Sequence, residues 1–158
     1  MQRNIIRTSG LLTSVILLAC ALALPLSAKD KKQVTRPVKG NGHATVVVDL
    51  ATREATIADW GQATHLGSWT NSGEGVLDPT LHYWVSGGGT IVAANGDAID
   101  YEFSGPFSIR YTVGTGRFQG VTGGTTFTIT STSDPVFNED YTMMTTEFTY
   151  DMVGEITY

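Results

Sequence analysis

Through several separate stretches of this sequence apolar and polar side chains alternate residue by residue, and a chain patterned in that way can bury one face of a β-strand but not the stripe of a helix. Ile99, Tyr101 and Phe103 alternate with Asp100, Glu102 and Ser104. Phe107, Ile109, Tyr111 and Val113 alternate with Ser108, Arg110 and Thr112, and Phe148, Tyr150 and Met152 oppose Glu147, Thr149 and Asp151. Near the start of the patterned region, Ala44, Val46, Val48 and Leu50 interleave with His43, Thr45, Val47 and Asp49, and a second run over 55–60 follows, which reads as a hairpin. No 11-residue window after the first 28 residues carries a helical stripe, and 18 glycines with many threonines point away from helix. The fold class is all-β.

Turn chemistry divides the pattern. Asn95-Gly96-Asp97 is the strongest hairpin signal, because Asn-Gly supplies the positive φ of a type I′ turn. Residues 71–75 (NSGEG) read as a turn, and Gly87-Gly88-Gly89 as a break or bend after a strand over 81–85 that carries aromatic bulk on both faces. The glycine-studded run 114–124 reads as a bulge or barrel corner inside the sheet. About eight short strands result. An antiparallel closed barrel is favoured over a sandwich, because glycines recurring within one-sided strands let a sheet curl, and closure removes exposed edges. Parity places Tyr101, Phe103, Tyr111 and Phe127 inside.

The first residues carry Arg3 and Arg7 and no acid, residues 11–24 are almost continuously apolar, and Pro25-Leu26-Ser27-Ala28 ends in small residues. This is the layout of a secretory signal peptide over 1–28, and it implies export to the periplasm or the cell exterior. Residues 29–41 read as a flexible leader and 42–158 as the barrel domain. The single cysteine, Cys20, follows Leu17-Leu18-Ala19 in the manner of a bacterial lipobox, so the alternative is a lipid anchor through Cys20 and membrane attachment by that route. Ordinary cleavage is favoured because the apolar run continues past Cys20 to Leu26. Either way the exported domain has no disulfide. Removing residues 1–28 takes two cations from the 10 basic and none from the 15 acidic residues, leaving a charge of −7. Without a basic cluster beyond the leader, a nucleic-acid partner is excluded.

Three stretches taken together, Ala63-Thr64-His65-Leu66-Gly67, Ala93-Ala94-Asn95-Gly96-Asp97 and the run from Gly114 to Gly123, resemble a group of exported bacterial proteins of unknown function. The last of the three is similar to a motif of the allene oxide cyclase and dirigent barrels. The resemblance covers roughly residues 42–130 and implies a calycin-like antiparallel barrel of eight strands. It carries over no catalytic residue.

Gly114-Thr115-Gly116 with the next glycine at Gly120 is not a dinucleotide loop, since a threonine-rich strand follows where a helix N-terminus is needed. No serine stands in a nucleophile elbow. His43, His65 and His82 fall on different strands without a second ligand at metal spacing, so no metal site and no cofactor is expected. His65 and His82 with Asp78 or Glu74 form the one set that a barrel could gather as a metal or acid–base site. The acidic run 134–140 lacks the ligand spacing of a calcium loop.

Aromatic content is the better clue, because small barrels fill their interior with rings or leave a lined cavity at the mouth. Three function classes follow: a barrel binding a small apolar ligand, a cofactor-free isomerase or cyclase of the allene oxide cyclase type, and a structural or surface-interaction protein with a solid core. The candidate ligand-binding residues are His65, Trp69, His82 and Trp84, whose facing the pattern leaves open, and Arg117, set between glycines where it can meet a ligand carboxylate or pair with a local acid. The pattern sets no oligomeric state and names no catalytic residue.

Overall fold

The computed structural model describes residues 32–80 and 83–158; the stretch expected to be a signal peptide, Cys20 and His82 lie outside the described residues. The strands are β1 (Thr35–Asp49), β2 (Glu54–Ala63), β3 (Gly67–Leu77), β4 (Trp84–Ala93), β5 (Ala98–Phe103), β6 (Ser108–Gly114), β7 (Thr122–Thr132), β8 (Val136–Phe137) and β9 (Met143–Thr157). Each pairs antiparallel with its neighbour in the order β1 to β7, then β9, and β9 returns to β1 along its whole length, from Thr35↔Thr157 to Asp49↔Met143. The sheet is therefore a closed eight-stranded barrel, with β8 a two-residue flap on the outer half of β9. The only helical element among the described residues is one 3-10 turn, Gly116–Phe118.

The alternation predicted from the sequence sets the inside and the outside. Ala44, Val46 and Val48 of β1, Ile99, Tyr101 and Phe103 of β5, Tyr111 of β6, and Tyr150, Met152 and Ile156 of β9 are all buried. Phe127 packs against the same core. The tight turns follow the local chemistry. Gly96 sits at φ 85 between β4 and β5, and Asp49 Oδ1 accepts from the backbone N–H groups of Ala51 at 2.8 Å and Thr52 at 3.0 Å, fixing the β1–β2 turn.

Four local expectations are corrected. Residues 71–75 are not a turn: they lie inside β3, with Gly73 opposite Gly89 and Gly75 opposite Gly87. The three glycines 87–89 likewise do not break the strand but run through β4. The reason is close approach. A Cβ on Gly73 or on Gly89 would stand 2.8 Å from the phenol oxygen of Tyr101, so these strands have surrendered side chains to make room for a ring lying across them. The run 114–124 leaves the sheet after Gly114 and rejoins it at Thr122, winding one 3-10 turn between, with Gly116 and Gly120 at positive φ. Finally, β1 begins at Thr35, inside the stretch expected to be a leader. Its partner there is the C-terminal part of β9 alone, since β2 stops opposite Gly40, and one-sided pairing tolerates Pro37.

The up-and-down order gives the barrel two unlike ends. At one, the β2–β3, β4–β5 and β6–β7 connections meet the start of β1, and Leu66, Phe118, Val121, Val38 and Ile156 pack there into a closed floor. At the other, the β1–β2, β3–β4, β5–β6 and β7–β9 connections surround an opening. On that side the wall is also split. β6 and β7 share three register pairs, Ser108↔Thr126 to Arg110↔Gly124, extended by the Phe127 N–H donating to the Phe107 carbonyl at 2.8 Å. Beyond Phe127, β7 keeps β9 on one side and, among the described residues, no strand on the other.

Candidate functional site

Above the packed floor the inward side chains leave a cavity of about 240 Å³ that opens at the split end. Its walls are apolar, with Val46, Ile57, Ile91, Phe103, Phe127 and Met152 among the lining residues. A wider concavity of about 590 Å³ lies against Val47, Glu54, Thr56, Glu74, Val76 and Ser86, an open depression of mixed polarity.

Polar groups converge at one place in the lining. Asp59 of β2 stands opposite Asn71 of β3 in the register, and Trp69 precedes Asn71 on the same face. Tyr150 of β9 donates its hydroxyl to Asp59 Oδ2 at 2.6 Å, and the Asn71 amide donates to the Tyr101 oxygen at 2.9 Å. The rings reach these positions because Gly42 of β1 lies beneath them: a Cβ there would meet the Tyr150 oxygen at 2.6 Å and the Trp69 indole at 3.0 Å. Burial pushes the Asp59 carboxyl above the usual carboxylate range, while the Tyr150 hydroxyl and the neighbouring Asn71 amide pull the other way by favouring its anion. Burial also raises the Tyr101 and Tyr150 phenols, with the nearby Asp59 charge adding to it, so both stay protonated donors.

Asp59 Oδ1, Asn71 Oδ1 and the Trp69 indole Nε1 are buried and find no hydrogen-bond partner among the described residues. Each unmet group of this kind costs about 1–3 kcal/mol. In its neutral form Asp59 offers an O–H at Oδ1, since Oδ2 accepts from Tyr150, so two donors, that group and the Trp69 indole, and one acceptor, Asn71 Oδ1, are left where a neutral hydroxyl or carbonyl could satisfy them.

The structure separates the residues singled out from the sequence. Trp69 and Trp84 line the cavity, Trp69 almost wholly buried and Trp84 edge-on to Phe103 with ring centroids 5.4 Å apart. His65 occupies the β2–β3 turn at the closed end, in the left-handed region at φ 69. Arg117 is at the same closed end: its guanidinium lies 4.6 Å over the Phe118 ring and 3.8 Å from Asp97 Oδ2, while its backbone N–H donates to that same oxygen at 3.2 Å. Neither lines the cavity. The acid–base set is not assembled, since His65 and Asp78 stand at opposite ends and Glu74 faces outward. Among the described residues no three metal-ligating side chains gather.

Sequence reading missed Asp59, Asn71 and Tyr150 as a group. The signal for Asp59 was present: Ala55, Ile57 and Asp59 share one parity of β2, so a carboxylate stood on the inward face. Asn71 was hidden by the reading of 71–75 as a turn.

The fold is an antiparallel closed barrel of eight strands, as the resemblance to the allene oxide cyclase and dirigent barrels implied, and its apolar cavity meets one cluster of polar groups. No family model matches the chain, and no curated protein matches it. Among solved structures it is similar to the pterocarpan synthase dirigent protein GePTS1, at 11% identity over 78% of this chain and 90% of that one, with a TM-score of 0.45. It is also similar to the pterocarpan synthase dirigent protein PsPTS1, at 12% identity over 77% and 94%, with a TM-score of 0.41.

Proposed function

We propose that the barrel binds a small, largely apolar molecule, which enters from the open end and sets one hydroxyl or carbonyl group against Asp59, Asn71 and Trp69. The observation that carries this reading is the set of three unpartnered polar atoms at one place in an otherwise apolar cavity. An apolar cavity of about 150 Å³ takes benzene, so the space here suits a one- or two-ring alcohol or phenol, or a short acyl chain. A carboxylate is disfavoured, because its charge would face Asp59 where burial already opposes ionisation.

The test is a thermal-shift screen of small apolar alcohols, phenols, ketones and carboxylic acids. A ligand at a hundred times its Kd stabilises by about 2.7 kcal/mol. Neutral compounds are expected to raise Tm, and Thr146→Trp, which fills the cavity from β9, is expected to abolish the rise. If acids stabilise best, or the filled variant responds as the parent does, the reading fails.

A second reading, a cofactor-free isomerase or cyclase, is favoured by one observation: a carboxyl with raised pKa, hydrogen-bonded to Tyr150, in contact with the cavity. Such a group holds its proton to higher pH than an ordinary carboxyl and can deliver it to a bound oxygen. Turnover lost in Asp59→Asn with ligand binding retained would separate this reading from simple binding.

A further inference from the structure

Trp60, Val92, Val113 and Val153 are exposed singly on the strands of the wall, whereas at the open end exposed apolar side chains gather from several connections. Tyr83 comes from the β3–β4 connection, Phe107 from the β5–β6 connection, Ile129 from the far part of β7, and Val136, Phe137 and Tyr141 from the flap and its turn; all are exposed, Val136 to 67% and Tyr141 to 72%. At the closed end the corresponding connections bury Leu66 and Phe118 instead. Tyr83, Phe107 and Ile129 also line the cavity. Phe137 pairs with Met144, which lines the cavity too, so it stands on the same side of the sheet, and its ring lies 5.8 Å from that of Tyr141. Apolar surface therefore continues from the interior out over the lip, which is the mark of a docking face rather than of scattered surface residues.

The charge on this lip narrows the partner. The four connections at this end hold Asp78, Asp134, Glu139 and Asp140, and among their described residues the one cation is Arg53. Glu139 and Asp140 lie in the turn between Phe137 and Tyr141. Carboxylates beside aromatic rings suit an ammonium headgroup, which is drawn to both. They repel an anionic lipid layer, and two copies meeting mouth to mouth would set both acidic lips against each other. Tyrosines at a lip, with an apolar ring and a polar tip, suit a membrane–water boundary. The outer wall carries the Arg110–Glu102 ion pair, Glu147 and Asp151, so the contact is end-on and not a span.

We propose that the lip docks on the surface of a zwitterionic lipid layer bearing ammonium headgroups and takes its apolar ligand directly from that layer. The docking stands on the lip alone; the uptake rests on the binding function proposed above.

The experiment is co-sedimentation of the whole protein with sucrose-loaded phosphatidylcholine vesicles. Binding is expected, and the double substitution Phe137→Ser with Tyr141→Ser, both at exposed positions, is expected to lower the partition at least about tenfold. Replacing a third of the lipid by phosphatidylglycerol is expected to weaken binding, and added salt to reduce that weakening. Circular dichroism melts confirm that the variants fold. Docking is overturned by no sedimentation at millimolar lipid, by equal binding of the double variant, by tighter binding to the anionic vesicles, or by a dimer that the double substitution dissolves in place of vesicle binding. The two proposals fail separately. Loss of docking with the thermal-shift response intact removes only this one, whereas docking that persists while neither parent nor variant responds to any small compound removes the binding reading and leaves the lip.

Discussion

Replacing Asp59 by Asn tests the electrostatics of the cavity directly. The substitution keeps the shape of the side chain and an oxygen able to accept from the Tyr150 hydroxyl, at present 2.6 Å from Asp59 Oδ2, and it removes the titration. Burial raises the Asp59 pKa above its ordinary 3.8, so the folded protein holds this proton at pH values where the unfolded chain has lost it. A raised carboxyl contributes stability that is complete below the unfolded pKa and declines as pH rises, until the folded pKa is passed. Within that window the parent loses up to about 1.4 kcal/mol per pH unit. The asparagine loses none of it, and its hydrogen-bond mismatch costs roughly 1 kcal/mol at any pH. The lowered carboxyls of Asp49 and Asp97 give the opposite slope in acid, but they are common to both proteins and cancel in the difference. Thermal melts followed by circular dichroism from pH 4 to pH 9 should show the Tm of the variant gaining steadily on that of the parent and then running parallel to it. One kcal/mol moves Tm by about 3–6 °C in a domain of this size. A difference that is flat with pH, or one in which the parent gains as pH rises, would refute the assignment of Asp59 as the carboxyl held in its neutral form by burial.

Other substitutions read other parts of the barrel. Phe118→Ala, at the wholly buried plug of the closed end, should cost about 3–5 kcal/mol by denaturant melt, the range for a large core ring lost. Gly89→Ala places a methyl 2.8 Å from the Tyr101 oxygen and 2.5 Å from the Ser72 carbonyl, and should destabilise by about 1–3 kcal/mol through overpacking; a neutral result would refute the close approach of β3 and β4 at this pair. Arg117→Ala removes an exposed 3.8 Å ion pair and should change stability by less than about 1 kcal/mol, leaving the thermal-shift response to ligands as it is in the parent.

How far the chain could be read follows from which forces leave a one-dimensional trace. Period-two alternation survives in sequence because each strand is wet on one face and dry on the other, and β5, β6 and β9 announced themselves in that way. The glycines did not, because a glycine in a turn and a glycine beneath a ring look alike along the chain. Gly73, Gly75, Gly87 and Gly89 become intelligible only when β3 and β4 are paired and Tyr101 is laid across them from β5, a strand that is next to β4 but not to β3. The polar cluster in the cavity is of the same kind. Its members come from β2, β3, β5 and β9, and only ring closure between β9 and β1 carries the Tyr150 hydroxyl to Asp59, 91 residues earlier in the chain. Parity did place Asp59 inward beside Ala55 and Ile57. A carboxylate on the dry face of a strand is either an error of register or a site, and with the register fixed on both sides by β1 and β3 the first alternative is gone. A core built only for stability would do better with an apolar side chain at that position, and the same substitution would satisfy neither Tyr150 nor a ligand; the cost of keeping Asp59 is the physical reason to look for function at that point of the cavity.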